Sequence, residues 1–168
     1  MAVYWITGLS GAGKSTIGRE YYLHMKSKGM CMTFLDGDDL RLIMGVEGGY
    51  KPSERKKLSY KYAKLSKMLS DQGVHVVIAT ISMSHEVREW NRKNISDYVE
   101  IYIKVPLKIL IERDQKNLYS QNVSNVIGFN VDVEEPLNPD IVLLNDNSNS
   151  LKEITQELIK KITYLNGI

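Results

Sequence analysis

The sequence predicts an α/β fold: a three-layer sandwich in which a five-stranded, mainly parallel sheet carries helices on both faces. Short apolar runs alternate with segments of helical periodicity, which is the pattern of parallel strands joined by crossover helices. Several of the runs are continuously apolar, as expected for strands that are buried on both faces. The predicted strands are 3–7, 31–35, 74–80, 98–105 and 141–144.

The segments between these strands predict five helices, at 14–28, 53–72, 84–93, 107–113 and 151–164. In the second helix, apolar side chains recur at a spacing that places them on one face: Leu58, Tyr62, Leu65 and Leu69. Ser53 is a suitable N-cap for that helix. The pattern therefore supplies helices enough to cover both faces of the sheet.

A glycine-rich loop joins the first strand to the first helix. In this arrangement successive main-chain N–H groups turn inward on a polyphosphate, and the positive end of the helix faces the same anion. The lysine of such a loop reaches the β- and γ-phosphates, and the next hydroxyl ligates Mg²⁺. The sequence thus indicates a P-loop NTPase that binds a nucleoside triphosphate with Mg²⁺ through Gly8, Ser10, Gly11, Ala12, Gly13, Lys14, Ser15 and Thr16.

Composition narrows the class of protein. The 168 residues predict a single domain spanning 1–168, and the net charge of +2 gives no field that would indicate nucleic acid or a membrane surface. Cys31 is the only cysteine and lies in an apolar run, so we expect a core residue and a reducing compartment. No apolar stretch is long enough to span a bilayer. Because the glycine-rich loop starts at Gly8, we expect no signal peptide and a cytoplasmic protein.

The second predicted strand points to a kinase. The chain has no Asn-Lys-x-Asp tetrad for guanine and no Asp-x-x-Gly switch, and it is too short for a mechanical ATPase. That strand instead ends in Asp36-Gly37-Asp38, at the sheet edge where open α/β folds bind ligands. One carboxylate can hold Mg²⁺ through water, and the other can accept a proton from an attacking hydroxyl. The residues leave open which aspartate has which role.

The chain as a whole resembles the adenylylsulfate kinase family, and the resemblance covers nearly all of its length. The matching stretches are 5–16, 35–38, Gly49-Tyr50 ahead of Arg55, Ile81-Ser82, 105–107, 112–114 with Lys116, 118–119 and 138–139. The resemblance implies a nucleoside-kinase-like enzyme that uses ATP to phosphorylate the ribose 3′-hydroxyl of a nucleotide. The 5′-phosphate of that nucleotide carries a second acidic group.

The resemblance also implies roles for individual residues. Asp38 would be the base that faces the 3′-hydroxyl, Lys14 the catalytic cation, and Asp36 and Ser15 the groups that organise Mg²⁺. Arg113 and Lys116 would belong to a lid that closes over ATP. The acceptor would contact Asp38, Arg41, Tyr50, Arg55, Ile81, Ser82, His85 and Phe129.

The predicted lid covers approximately 114–139, a polar stretch with little periodicity. A segment of this length in a compact domain is either disordered or functional, commonly a lid. Between Tyr119 and Pro136 the chain is about four residues shorter than the family pattern. Its aromatic residue is Phe129 if the chain is aligned on Gly128, whereas alignment back from Pro136 places Val126 there.

Departures from the family pattern concentrate on the acceptor side. Leu58 stands where the family usually has an asparagine, and Met83-Ser84-His85 replaces its usual Pro-Tyr-Arg. Residues 79–92 are similar to a branch of the family associated with bacterial capsule biosynthesis, whose acceptor is cytidine 5′-diphosphoramidate. His85 would then be either an acceptor contact or a surface helix residue. We therefore expect the phosphoryl transfer to be retained on a changed acceptor.

Alternatives remain at this point. The acceptor could be adenylylsulfate itself, giving 3′-phosphoadenylylsulfate. A different small-molecule P-loop kinase, such as a sugar or shikimate-type kinase, or a nucleotide sensor is the second alternative. The expected partner is a small-molecule nucleotide, with no nucleic acid and no membrane. The sequence leaves open whether the protein is a homodimer, as related kinases often are.

Overall fold

A computed structural model of the chain describes residues 1–45, 52–113 and 133–165. Its centre is a five-stranded sheet of order β2-β3-β1-β4-β5 in which every neighbouring pair is parallel. The strands are β1 Val3–Thr7, β2 Met32–Asp36, β3 His75–Ala79, β4 Tyr98–Lys104 and β5 Ile141–Leu144. The helices are α1 Lys14–Ser27, α2 Gly37–Ile43, α3 Pro52–Asp71, α4 His85–Asn94, α5 Leu107–Arg113 and α6 Leu151–Leu165.

Two apolar cores lie on opposite faces of the sheet, and β1 contributes to both. Successive side chains of a strand point to opposite faces. Tyr4 and Ile6 accordingly pack with residues of α1 and α6, while Val3 and Trp5 pack with residues of α3 and α4. Every residue of β1 is buried. The continuously apolar run at 3–7 was therefore a correct indication of a central strand, and the predicted three-layer sandwich is confirmed.

One helix was not predicted, and one residue was wrongly expected in the core. The second strand was expected to end in Asp36-Gly37-Asp38 with no helix directly after it, but Gly37–Ile43 forms α2. The Asp36 carboxylate caps this helix by accepting a hydrogen bond from the Asp38 N–H at 2.9 Å. Leu40 is the buried residue on the side of α2 that faces the core. Cys31 was expected in the core, yet it is exposed just before β2 begins at Met32.

The parallel register places three strand ends at one edge of the sheet. Ala79 at the end of β3 is in register with both Ile6 of β1 and Asp36 of β2. The segments that follow these strands are the glycine-rich loop, the start of α2 and residues 80–84. They consequently emerge side by side, in the position where open α/β sheets bind ligands. Within the described ranges, no helix is both long and apolar enough to cross a membrane.

The N-terminal end of the sheet contains a titratable contact. The Ala2 N–H donates a hydrogen bond to His75 Nδ1 at 3.1 Å. Burial of the imidazole, together with the nearby N-terminal ammonium group, lowers the pKa of His75 below its ordinary value of 6.5. Because the neutral ring is the form that accepts this bond, the fold favours unprotonated His75.

This contact predicts acid sensitivity. A folded-state pKa below the unfolded value stabilises the fold above the unfolded pKa, and that stability is lost as pH falls through the folded pKa. Between about pH 8 and about pH 5, the Tm of the wild type should therefore fall more than the Tm of His75→Gln, which cannot titrate. Thermal unfolding over this pH series tests it, and parallel curves for the two proteins would contradict it.

Candidate active site

A cavity of about 800 Å³ opens at the sheet edge where β1, β2 and β3 end. Its wall combines the glycine-rich loop, called here the phosphate loop (residues 8–16), with the start of α2 and the inner side of α3. Residues 79–86, Glu89 and Glu134 complete the lining. Elements that are distant along the chain therefore meet around one space large enough for a small-molecule ligand.

The main chain of the phosphate loop is held in the shape that binds anions. Gly13 precedes α1 with φ of 92°, a left-handed conformation that a residue with a side chain rarely adopts. At Gly8, an added Cβ would lie 2.7 Å from the carbonyl oxygen of Ile103 in β4, so only glycine allows this close approach. Lys14 Nζ donates to the Leu9 carbonyl at 2.7 Å. The loop is thus folded around the space that a polyphosphate would occupy.

Asn145 braces the phosphate loop from behind, and sequence reasoning missed it. Its side chain is buried at the end of β5 and donates through Nδ2 to the Ala12 carbonyl at 2.9 Å. Arg113 donates through Nη2 to Asn145 Oδ1 at 3.0 Å and through Nη1 to the Gly11 carbonyl at 3.4 Å. The position of Asn145 directly after an apolar strand was the one signal that could have identified it. The pair fixes two carbonyls of the loop.

The two aspartates of the second strand end lie beside the phosphate loop. Asp36 is half-buried and caps α2, whereas Asp38 in the first turn of α2 is exposed, and both line the cavity. The Tyr62 hydroxyl of α3 donates to the Gly37 carbonyl at 3.0 Å and so ties α3 to this turn. Burial raises the pKa of Tyr62, which keeps the phenol protonated as a donor. Arg41 follows one turn later on the same cavity wall.

A chain of hydroxyl groups forms the floor between α3 and the end of β3. Thr80 Oγ1 and Ser82 Oγ are 2.9 Å apart, and Ser82 Oγ donates to Ser59 Oγ at 2.9 Å. Ser59 Oγ in turn donates to the Arg55 carbonyl at 2.9 Å. Ser82 is buried and has φ of 29°, an unusual backbone conformation for a serine that costs free energy. Strain of this kind clusters at binding sites.

The first turn of α4 supplies polar groups to the opposite wall. The His85 main-chain N–H donates to Glu134 Oε2 at 2.5 Å. Glu86 accepts hydrogen bonds from Lys56 and from the Tyr60 hydroxyl, the latter at 2.8 Å, and these contacts lower the pKa of its carboxyl group. This wall therefore carries carboxylates as well as cations.

The structure brings most of the predicted site residues together. Thirteen of them line the cavity: Ser10, Gly11, Gly13, Lys14, Ser15, Thr16, Asp36, Asp38, Arg41, Arg55, Ile81, Ser82 and His85. Two further residues of the phosphate loop do not line the cavity: Ala12 is buried, and Gly8 packs against β4. Tyr50, Lys116, Val126, Phe129 and most of the predicted lid at 114–139 lie outside the described residues. The lining residues that sequence reasoning missed include Ser59, Tyr62, Thr80 and Glu134.

A phosphate loop that shares one cavity with two aspartates and two arginines, on a parallel sheet of this strand order, defines a phosphotransferase of the P-loop kinase class. The comparisons with known proteins specify the family. The profile of the adenylylsulphate kinase family matches residues 1–144. The chain belongs to that family, and the protein is a kinase.

Relatives within the family differ in the acceptor that they are named for. The chain is 40% identical over 164 residues to the cytidine diphosphoramidate kinase of Campylobacter jejuni, covering 95% of each chain. It is 34% identical to the adenylyl-sulfate kinase of Paraburkholderia xenovorans over 86% of this chain and 84% of that one. A solved structure of Mycobacterium tuberculosis APS kinase with AMPPNP and APS superposes with a TM-score of 0.87 at 29% identity, covering 96% of both chains.

The brace behind the phosphate loop predicts a selective effect on ATP. Asn145→Ala removes the hydrogen bond to Ala12 and one from Arg113, each worth about 1 kcal/mol, so the KM for ATP should rise roughly tenfold. The KM for the acceptor should change little, because its wall is built by other elements. Steady-state kinetics measure both values. Asn149→Ala, at an exposed position nearby, is the matched control. An unchanged KM for ATP in a folded Asn145→Ala enzyme would contradict the bracing role.

Proposed function

We propose that the protein transfers the γ-phosphate of ATP to the 3′-hydroxyl of cytidine 5′-diphosphoramidate, as a step in making a capsule phosphoramidate. The observation that carries the proposal is the shared cavity, in which Lys14 and Ser15 lie together with the Asp38 carboxylate. Support for the acceptor comes from the 40% identity, over 95% of each chain, to a relative that is named for that nucleotide. The changed residues at 83–85 lie in the same cavity wall.

Each group then has a physical task. The loop amides and Lys14 bind the triphosphate and stabilise the charge on the transferred phosphoryl group. Asp38 accepts the proton of the 3′-hydroxyl as its oxygen attacks phosphorus. Arg41 and Arg55 present planar guanidinium groups that suit the phosphate oxygens at the 5′ end of the acceptor. Catalysis depends mainly on holding the hydroxyl in line with the bond that breaks.

The same cavity fits a magnesium ion. Ser15 offers a hydroxyl and Asp36 a carboxylate within one lining, which are oxygen ligands of the kind that Mg²⁺ prefers. No group of three or more acidic, histidine or cysteine side chains suited to a metal occurs among the described residues. That agrees with an ion held largely by phosphates and water. When bound, Mg²⁺ would neutralise charge on the phosphates.

The remaining assignments are part of the proposal. Arg113 and Lys116 belong to the ATP side, and residues 114–139 act as a lid over the nucleotide. Tyr50 and Phe129 stack on the acceptor base. His85 is an acceptor contact rather than a surface helix residue, because it lines the cavity. The whole chain, 1–168, acts as one kinase domain in the cytoplasm.

Adenylylsulfate is the second candidate acceptor. It is supported by the superposition on an APS kinase whose structure contains APS, and by the presence of Arg41 and Arg55 in the cavity. A sugar or shikimate-type kinase has less support, because the family profile covers residues 1–144. A nucleotide sensor would not need the aspartate pair beside the phosphate loop.

Turnover of the two nucleotides separates these candidates. ADP release is measured with cytidine 5′-diphosphoramidate and with adenylylsulfate under the same conditions. We expect the larger kcat/KM with the cytidine nucleotide, and phosphorylation at its 3′-oxygen. Turnover of adenylylsulfate alone would refute the proposed acceptor while leaving the kinase class intact. If the protein binds ATP but releases no ADP with either acceptor, the result would favour a nucleotide sensor.

The role of Asp38 as the general base is tested by a neutral substitution. Asp38→Asn keeps the size of the side chain but cannot take up the proton, so kcat should fall roughly 100-fold or more while ATP binding stays nearly unchanged. Asp39→Asn is the matched control, because Asp39 is the next residue of the same exposed turn and does not belong to the cavity lining. Equal kcat values for the two variants would remove Asp38 from the mechanism.

A further inference from the structure

A buried arginine lies behind the acceptor wall of the cavity. Arg88 of α4 is 4% exposed and pairs through Nε with Oε1 of the equally buried Glu100 of β4 at 3.4 Å. A buried ion pair is by itself weak evidence for stability, since removing two charges from water costs about as much as their attraction returns. The remaining contacts of the guanidinium group are therefore informative about its role.

The other contacts of Arg88 are all with residues of the cavity wall. Arg88 Nη2 lies 2.8 Å from His85 Nδ1 and donates to the Glu134 carbonyl at 2.6 Å, and Nη1 donates to the Ser82 carbonyl at 3.4 Å. His85, Glu134 and Ser82 each line the cavity. One guanidinium group thus joins the first turn of α4, the end of β3 and the segment that precedes β5.

The contact with His85 determines which nitrogen of the neutral imidazole carries the proton. A guanidinium group only donates hydrogen bonds, so Nδ1 must accept and the proton of the neutral ring resides on Nε2. The main-chain N–H of the same residue fixes Glu134 Oε2. Two cavity-lining residues are thus left with complementary groups: His85 with a donor at Nε2–H, and Glu134 with an acceptor at the carboxylate oxygen Oε1.

This pair lines the same cavity as Arg41 and Arg55, which are assigned to the 5′ end of the acceptor. Ser82, held by Arg88, is hydrogen bonded to Ser59, and Ser59 is bonded to the main chain of Arg55. Arg88 therefore also holds the segment that is hydrogen bonded, through Ser59, to the main chain of Arg55, the residue that we assign to the 5′-phosphoryl group.

We infer that Glu134 and His85 select acceptors whose 5′ end terminates in a P–NH₂ group, and that Arg88 is the positioning residue that holds them. The inference rests on the proposed function. An amidate terminus has N–H donors beside its oxygens, so it matches both the carboxylate and the imidazole N–H. A sulfate terminus has only acceptor oxygens, which a carboxylate repels. Discrimination by such a repulsive contact is a general route to specificity.

The test measures kcat/KM for cytidine 5′-diphosphoramidate and for adenylylsulfate in three variants. Glu134→Gln removes the negative charge at an exposed position, and should lower the preference for the amidate about tenfold, mainly through faster use of the sulfate. Arg88→Lys keeps the charge beside Glu100, but its single ammonium nitrogen cannot reach the four partners that the three guanidinium nitrogens contact. It should raise the acceptor KM at least about fivefold while the KM for ATP and kcat change less than about twofold.

Arg92→Lys is the matched control. Arg92 is on the same helix and binds Glu100, Asp140 and the Asn138 carbonyl, none of which belongs to the cavity lining. Its acceptor KM and preference should equal those of the wild type. If Arg88→Lys fails to fold, Glu134→Gln still decides the selection step.

The outcomes are distinguishable. A wild-type enzyme that turns over only adenylylsulfate refutes the proposed function. A wild-type enzyme that prefers the amidate, together with a Glu134→Gln enzyme of unchanged preference, refutes the selection by Glu134 alone. Equal acceptor KM values for Arg88→Lys and Arg92→Lys would refute the positioning role of Arg88.

Discussion

The close packing of the phosphate loop against the sheet is the constraint on which the rest of the site depends. The loop passes β4 so closely at Gly8 that no side chain fits, and Asn145 and Arg113 bind its carbonyls from the side of β5. These contacts restrict the conformations that are open to the loop and so orient its amides. A preorganised site spends little binding free energy on ordering itself, and that is what positions a phosphoryl group for transfer.

The second requirement is that the acceptor wall keeps a fixed relation to this loop. Arg88 supplies it, anchored by its ion pair with Glu100 of β4. Arg92 and Asp140 bind the other side of Glu100 and contact none of the described residues of the wall. Burial raises the pKa of Glu100 and lowers the pKa of Arg88, and the opposite charge of each partner offsets part of this effect. These contacts join α4 and β4 to the segment before β5 through directional contacts that apolar packing does not provide.

Features that depend on neighbouring residues in the chain could be predicted from the sequence, whereas contacts between residues far apart in the chain could not. The strands, five of the helices and the phosphate loop were predictable because their signals are local: apolar runs, helical spacing and a glycine pattern. Helix α2 was missed because its first turn, at Asp36-Gly37-Asp38, has the composition of a turn and its seven residues give almost no periodicity. Cys31 was misplaced because it borders an apolar strand without belonging to it. Glu134 and Asn145 reach the site from far along the chain, and the only local signal was the position of Asn145 directly after an apolar strand.

The most direct test of this account is the structure of a ternary complex with a non-hydrolysable ATP analogue and cytidine 5′-diphosphoramidate. We expect the triphosphate to lie on the amides of residues 8–16. We also expect the acceptor 3′-oxygen to lie about 3 Å from the Asp38 carboxylate and in line with the γ-phosphorus. A complex in which the 3′-oxygen is remote from Asp38, or in which the triphosphate lies outside the loop, would contradict it.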